Sequence, residues 1–223
     1  MAGVTLVKVC GLTRDEDVRA AVAQGACACG FVLCESPRKV SPERACWLAG
    51  EVEGALTVGV VATESAEWIA GAIGFAGLRA VQLSAGADGA TVAAVRAATA
   101  RLEQRPIVIA AADTPDAAAA DMVLLDARTP GSYGGTGETL DWAELAARPD
   151  LPDRRLVLAG GLRPENVAAA IAALHPTVVD VSSGVETAPG IKDTARLREF
   201  FAAVVHADKG AAGAAADSGR KHR

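Results

Sequence analysis

A chain of 223 residues, 51% hydrophobic and carrying a net charge of −5, holds enough apolar material for one α/β domain with a single well-filled core; a second domain would be cramped. Asp, Glu, Arg or Gly interrupts every apolar stretch before membrane-spanning length, and MAGVTLVKVCGL lacks the basic, apolar and small-residue regions of an export signal, so no membrane partner is expected and a cytoplasmic location follows. With 4% aromatic residues and an acidic balance there is neither a basic stripe nor a stacking platform, which argues against nucleic acid as a partner.

In chain order, apolar runs predict strands at 4–10 (VTLVKVC), 29–34 (CGFVLC), 55–62 (ALTVGVVA) and 80–85 (AVQLSA). Four more lie at 106–111 (PIVIAA), 122–127 (MVLLDA), 155–161 (RLVLAGG) and 178–184 (VVDVSSG). Near-continuous apolar runs of this length belong to strands buried on both faces of a parallel sheet. Ala-rich stretches with helical spacing separate them. Thr13 with Glu16 three residues on, Ser41 with Pro42, and Pro164 mark helix starts, and Gly25 closes the first helix. The fifth helix, within 114–121, has room for barely two turns. Eight strands, each followed by a helix, predict a single closed (β/α)8 TIM barrel over 1–206 rather than an open doubly wound sheet. From 207 to 223 the apolar period gives way to Ala, Gly and charge, which predicts a disordered C-terminal tail.

Chemistry in such a barrel belongs at the carboxyl ends of the strands. The last two strands end in Gly160, Gly161 and Leu162 and in Ser182, Ser183 and Gly184, within about one βαβ unit of each other. Either glycine-bearing turn alone reads as a tight turn. Together, at strands seven and eight, they read as a cradle of backbone N–H groups for a phosphorylated small molecule. At the same end stand Cys10 after strand one, Ser36 and Arg38 after strand two, Ser84 after strand four, Asp126 after strand six and Asp180 in strand eight. A thiol and a carboxyl facing each other across the mouth, beside a guanidinium and a phosphate site, are equipment for proton transfer on a phosphosugar-like anion.

Plainer roles exist for each: Cys10 as one of five buried thiols, Asp180 as a loop acceptor, Arg38 as a surface partner of Glu35 or Glu43. Asp126 follows four apolar residues, where an unpaired carboxyl is costly, and that favours function. The five cysteines lack CxxC spacing and have no histidine near them, so no metal site is expected; they read as small buried residues in a reducing compartment. His175, His206 and His222 fall at a helix end, in the terminal helix and in the tail.

Several segments, in order, resemble phosphoribosylanthranilate isomerases: KVCGLT at 8–13, SPRKV at 36–40, VGV at 58–60, VQL at 81–83, LLD at 124–126, GGTG and DW within 134–142, LAGGLRPENV at 158–167, and VDVSSGVE with PGIKD within 179–193. The resemblance spans Lys8 to about Phe201 and omits only the tail. It implies the Amadori rearrangement of N-(5′-phosphoribosyl)anthranilate to the carboxyphenylamino-deoxyribulose phosphate in tryptophan biosynthesis, without metal or organic cofactor, by a monomer or homodimer. It also implies that Cys10 is the general base and Asp126 the general acid, that Arg38 meets the anthranilate carboxylate and Asp180 the sugar hydroxyls, and that the two glycine turns hold the phosphate.

Residue chemistry agrees with those roles. Asp126 must enter protonated to donate to the furanose ring oxygen, which its apolar strand favours. Cys10 needs thiolate character to take the C2′ proton, and a polar barrel mouth is expected to lower its pKa from about 8.5. A guanidinium suits a planar carboxylate because it offers two parallel hydrogen bonds. One departure stands out: where the family reads VQLHG this chain reads VQLSA, so Ser84 replaces a histidine and Ala85 a glycine. Ser84 motivates a different reading, a degenerate paralogue that binds a phosphorylated ligand without turnover; the presence of both Cys10 and Asp126 opposes it. A third reading, a barrel that also accepts the histidine-pathway aminoimidazole aldose, expects paired aspartates after strands one and five, where this chain has VKVC and VIAA.

Overall fold

The computed structural model describes residues 4–84, 88–111, 119–126, 146–147 and 156–218, the stretch 211–218 by its backbone alone. Ala85, most of the short fifth helix, GGTG, DW and the basic end of the tail lie outside the described residues.

Eight parallel strands close into a barrel in sequence order: β1 (Leu6–Cys10), β2 (Ala28–Val32), β3 (Leu56–Val61), β4 (Ala80–Leu83), β5 (Ile107–Ala111), β6 (Met122–Asp126), β7 (Leu156–Ala159) and β8 (Val178–Val181). Each predicted run forms its strand, trimmed by one to three residues at one or both ends, except that β2 begins one residue earlier, at Ala28. Closure comes from β1 pairing with β8, which sets Lys8 beside Asp180 and Val9 beside Val181. A short antiparallel hairpin, β9 (Glu186–Ala188) with β10 (Ile191–Lys192), follows β8.

Side chains alternate between the two faces of each strand, so the sheet has two cores. Inside, Ala28, Val58, Ala80, Ile109, Leu124 and Val157 pack into an apolar plug, and Cys10, Val32 and Val60 form a smaller cluster with Cys34 against it. Outside, strand residues such as Val9, Phe31 and Leu158 are sealed beneath the helices, in one cluster with Phe200 of the C-terminal helix. Phe31 and Phe200 are fully buried, each worth about 2 to 3 kcal/mol of transfer free energy.

The described helices are α1 (Asp15–Ala23), α2 (Pro42–Ala49), α3 (Ala66–Ala76), α4 (Gly89–Thr99), α5 (Val167–Leu174) and α6 (Thr194–Ser218). Ser41 caps α2 as expected, its hydroxyl accepting from Arg44 N at 3.2 Å, and Gly25 follows α1 with φ +88°. Thr13 is not the cap of α1. That helix starts at Asp15 after an extended Arg14, and the Thr13 hydroxyl instead donates to Gly190 O at 2.7 Å, a tertiary contact that wins over local capping. Pro164 opens a turn rather than the helix, which begins three residues later at Val167.

The tail boundary moves too. Helix α6 continues past Ala207 to Ser218, where disorder is expected from sequence, because losing the apolar period does not stop an Ala-rich segment from continuing a helix that already exists. Asp208 anchors that extension: its two carboxylate oxygens accept from Thr5 N and Thr5 Oγ1, both at 2.8 Å.

Candidate active site

Alternate residues of β1 enter the barrel, so Lys8 lies one step below Cys10. Lys8 is 1% exposed, and its Nζ donates to Asp180 Oδ2 at 2.6 Å. The other carboxylate oxygen, Asp180 Oδ1, is buried with no hydrogen-bond partner among the described residues. Gly30 of β2 makes room for this group: a Cβ there would sit 3.0 Å from Cys10 Sγ and 3.2 Å from Lys8 Nζ. Burial works to lower the pKa of the Lys8 ammonium, but Asp180 and Cys10 outweigh it and raise the value, so Lys8 stays charged. For Asp180, burial acts upward and Lys8 opposes it.

Burial also pushes the Cys10 thiol up, and Asp180 adds to the effect, while Lys8 and Lys192 pull the other way without reversing it. The expected depression is therefore not found. Its reason is packing: Cys10 is 9% exposed, and the polar mouth does not bring enough water to the sulfur.

Arg38 finds neither Glu35 nor Glu43. Its side chain crosses over Gly11, where φ is +72° and a Cβ would stand 2.5 Å from Arg38 Cδ. Its guanidinium then grips Glu186 of β9, Nε at 2.9 and 3.1 Å from the two carboxylate oxygens and Nη2 at 2.6 Å from Oε2. Lys192 of β10 reaches the same carboxylate at 2.7 Å and also donates to the Cys10 carbonyl at 2.6 Å and, more weakly, to the Ser182 carbonyl at 3.3 Å.

The two glycine turns meet. Gly160 and Gly161 have φ of +90° and +65°, accessible to glycine without strain. A Cβ on Gly184 would fall on the carbonyl oxygen of Leu162, so the turn after β8, a 3-10 turn at Ser183–Val185, lies directly against the turn after β7. Asn166 braces the first turn, its Nδ2 donating to Gly161 O at 3.1 Å and its Oδ1 accepting from Arg163 N at 2.9 Å. Ser182, Ser183 and Gly184 are all half-buried.

Asp126 ends β6 half-buried, in register with Ala159, the residue before Gly160. It stands close enough to Asp180 to act on it electrostatically. Ser84 is exposed just past β4, and its hydroxyl accepts from Gln82 Nε2 at 3.1 Å; Gln82 Oε1 is buried with no partner among the described residues. Thus Cys10, Arg38, Ser84, Asp126, Asp180 and both turns occupy one end of one barrel. Sequence reasoning missed Lys8, Gln82, Glu186 and Lys192. A lysine inside LVKVC carries the same signal that singled out Asp126, a charge in an apolar strand that must be paired.

A family model described as N-(5′-phosphoribosyl)anthranilate (PRA) isomerase matches residues 7–203. The chain belongs to the phosphoribosylanthranilate isomerase family. A member from Magnetococcus marinus, named N-(5′-phosphoribosyl)anthranilate isomerase, is 41% identical over 209 residues, 92% of this chain and 97% of its own. The Thermotoga maritima phosphoribosyl anthranilate isomerase structure superposes with a TM-score of 0.75 at 35% identity, covering 91% of this chain and 99% of that one; a further structure reports that enzyme as dimeric. A third structure is of a phosphoribosyl anthranilate isomerase in complex with reduced 1-(o-carboxyphenylamino)-1-deoxyribulose 5-phosphate, with a TM-score of 0.73 at 34% identity, covering 91% of this chain and 99% of that one.

Proposed function

We propose that the chain catalyses the Amadori rearrangement of N-(5′-phosphoribosyl)anthranilate to 1-(2-carboxyphenylamino)-1-deoxyribulose 5-phosphate, a step of tryptophan biosynthesis. The observation that carries this is the convergence of Cys10, Asp126 and the paired glycine turns at one end of the barrel, with a cation for the aryl carboxylate beside them.

Asp126 donates a proton to the ring oxygen as the C1′–O bond breaks, and the anilino nitrogen lone pair forms the iminium. Cys10, as thiolate, then removes the C2′ proton, whose electrons neutralise the iminium to give the enolamine, which tautomerises to the ketone. Burial makes the thiolate uphill from the thiol, so the positive iminium together with Lys8 and Lys192 offsets the cost of charging a buried sulfur. The rearrangement is an internal redox exchange in which two electrons pass from C2′, which becomes the ketone, to C1′, which is reduced. It requires no external electron acceptor and hence no cofactor.

Arg38 meets the anthranilate carboxylate, and Asp180 Oδ1, buried and without a donor among the described residues, accepts from a sugar hydroxyl. Ser84 lies at the same rim as a hydroxyl contact. The backbone of Gly160, Gly161, Leu162, Ser182, Ser183 and Gly184 receives the phosphate. Among the described residues no helix is long and apolar enough to cross a membrane, and with a biosynthetic substrate a cytoplasmic location is the natural one. The working form is a monomer or a homodimer.

The test is loss of substrate fluorescence with freshly generated phosphoribosylanthranilate. Loss at an enzyme-like rate supports the isomerase; tight binding of substrate without loss supports the paralogue that binds and does not turn over.

A further inference from the structure

Arg38 has five guanidinium N–H groups in two usable edges. Glu186 takes the side-on edge, Nε with Nη2, which leaves Nη1 and the second Nη2 hydrogen as an end-on edge of the shape that a second carboxylate fits. The Glu186 side chain is 4% exposed and that of Lys192 1%, so neither is a solvated surface charge. Burying both is costly unless each is fully paired, and each is: Glu186 by Arg38, Lys192 and Gly190 N, Lys192 by Glu186 and two backbone carbonyls. Burial would push the Glu186 carboxyl up, yet Arg38 and Lys192 hold it below the ordinary carboxylate range, so it is an anion at neutral pH. One of the carbonyls on Lys192 belongs to Cys10. The contacts therefore run without a break from Cys10 through Lys192 and Glu186 to Arg38, whose stem returns across Gly11, the residue after Cys10.

We propose that Glu186 and Lys192 are positioning residues: Glu186 aims Arg38 so that its end-on edge reads the aryl carboxylate, and Lys192 fixes that assembly to the backbone of Cys10. Neither touches substrate. The β9–β10 hairpin thereby holds the specificity-determining guanidinium and the proton-abstracting thiol as one rigid unit, and an aryl carboxylate is recognised by an arginine that already carries a carboxylate on its other edge. This rests on the isomerase reading above.

The experiment compares two substrates, phosphoribosylanthranilate and its aniline analogue, which lacks the carboxylate. In the wild-type protein the ratio of their kcat/KM values measures carboxylate recognition. Glu186→Gln is expected to lower that ratio about tenfold, mainly through KM for the anthranilate substrate, and Arg38→Ala to abolish the preference. Adding Glu186→Gln to Arg38→Ala should change the ratio no further, because the first acts through the second. Lys192→Met should instead lower kcat for both substrates alike. Should Glu186→Gln not fold, Glu186→Asp, which keeps the charge but is one methylene too short to span Arg38 and Lys192 together, is measured in its place. A ratio unchanged within twofold in a folded Glu186 variant, or additive effects in the double variant, overturns the proposal. A wild-type protein that turns over neither substrate overturns the isomerase reading itself, and the positioning role falls with it.

Discussion

Lys8 and Asp180 are 172 residues apart in the chain and meet inside the barrel with 2.6 Å between Nζ and Oδ2. The pair is an expensive solution in a site with little water, since two charges lose their hydration and gain only each other and a few dipoles. Removing one partner leaves the other uncompensated. Lys8→Met and Asp180→Asn are each expected to cost about 3 to 5 kcal/mol in urea unfolding, whereas Lys8→Met with Asp180→Leu should recover much of that loss and still be inactive. Single variants within about 1 kcal/mol of wild type would show that the pair is solvated.

Cys10→Ala and Asp126→Asn should each lower kcat by about a hundredfold or more with little change in unfolding midpoint, since both are small changes at the mouth rather than in the plug. Turnover like that of wild type in either variant removes that residue from the mechanism.

Ser84 accepts from Gln82 and is exposed, so a larger side chain there has space toward the mouth. Ser84→His is expected to lower KM more than it raises kcat, by the order of one hydrogen bond, roughly 0.5 to 1.5 kcal/mol. A rise in kcat of orders of magnitude at constant KM would mean that the chain lacks catalytic equipment, and would favour the paralogue without turnover.

The cradle makes a steric prediction. Gly184→Ala places a methyl group on the Leu162 carbonyl, so the two turns must separate. Inorganic phosphate, which should compete with substrate in the wild-type protein, is expected to lose most of its inhibition in this variant. Equal inhibition constants for the two proteins would put the phosphate elsewhere.

Burial raises the thiols of Cys27 to about 11 and Cys29 to about 12, with Cys10 also raised. In the unfolded chain these groups lose their protons near 9, so above that pH the folded state binds more protons than the unfolded one. Stability is then fully present below pH 9 and falls as pH rises toward the folded values, by up to about 1.4 kcal/mol per pH unit for each thiol. Cys29→Ala should lose roughly 1 kcal/mol at pH 7 through the small cavity and show a shallower decline between about pH 9 and 10.5. An identical alkaline slope in urea unfolding would exclude Cys29 from the effect.

The strands were readable because each is a nearly unbroken apolar run between turn signals, and period and count together point to a barrel. Cys10, Asp126 and the glycine turns were readable for a related reason: they are polar or glycine residues placed where such a run ends. Tertiary contacts were not. Nothing near Thr13 in sequence announces Gly190 as a competitor for its hydroxyl, and nothing near Arg38 announces Glu186, 148 residues away. The direction of the Cys10 shift depends on how much water the packed mouth admits, which no local pattern encodes. Lys8 was legible in principle, since a cation between valines demands a counter-charge, but the identity of that charge appears only when β8 closes against β1.

That closure has a consequence for how the chain is made. β1 is synthesised well before its partner β8, so Lys8 is translated some 170 residues ahead of Asp180, the anion that pairs with it among the described residues. Until β8 arrives the half-built barrel carries an ammonium on what becomes its inner wall, and that wall must stay wet. The seam, fastened a second time by Asp208 on Thr5, makes drying of the interior a late event, and the most exposed species during synthesis is an open curved sheet whose two free edges are β1 and the newest strand.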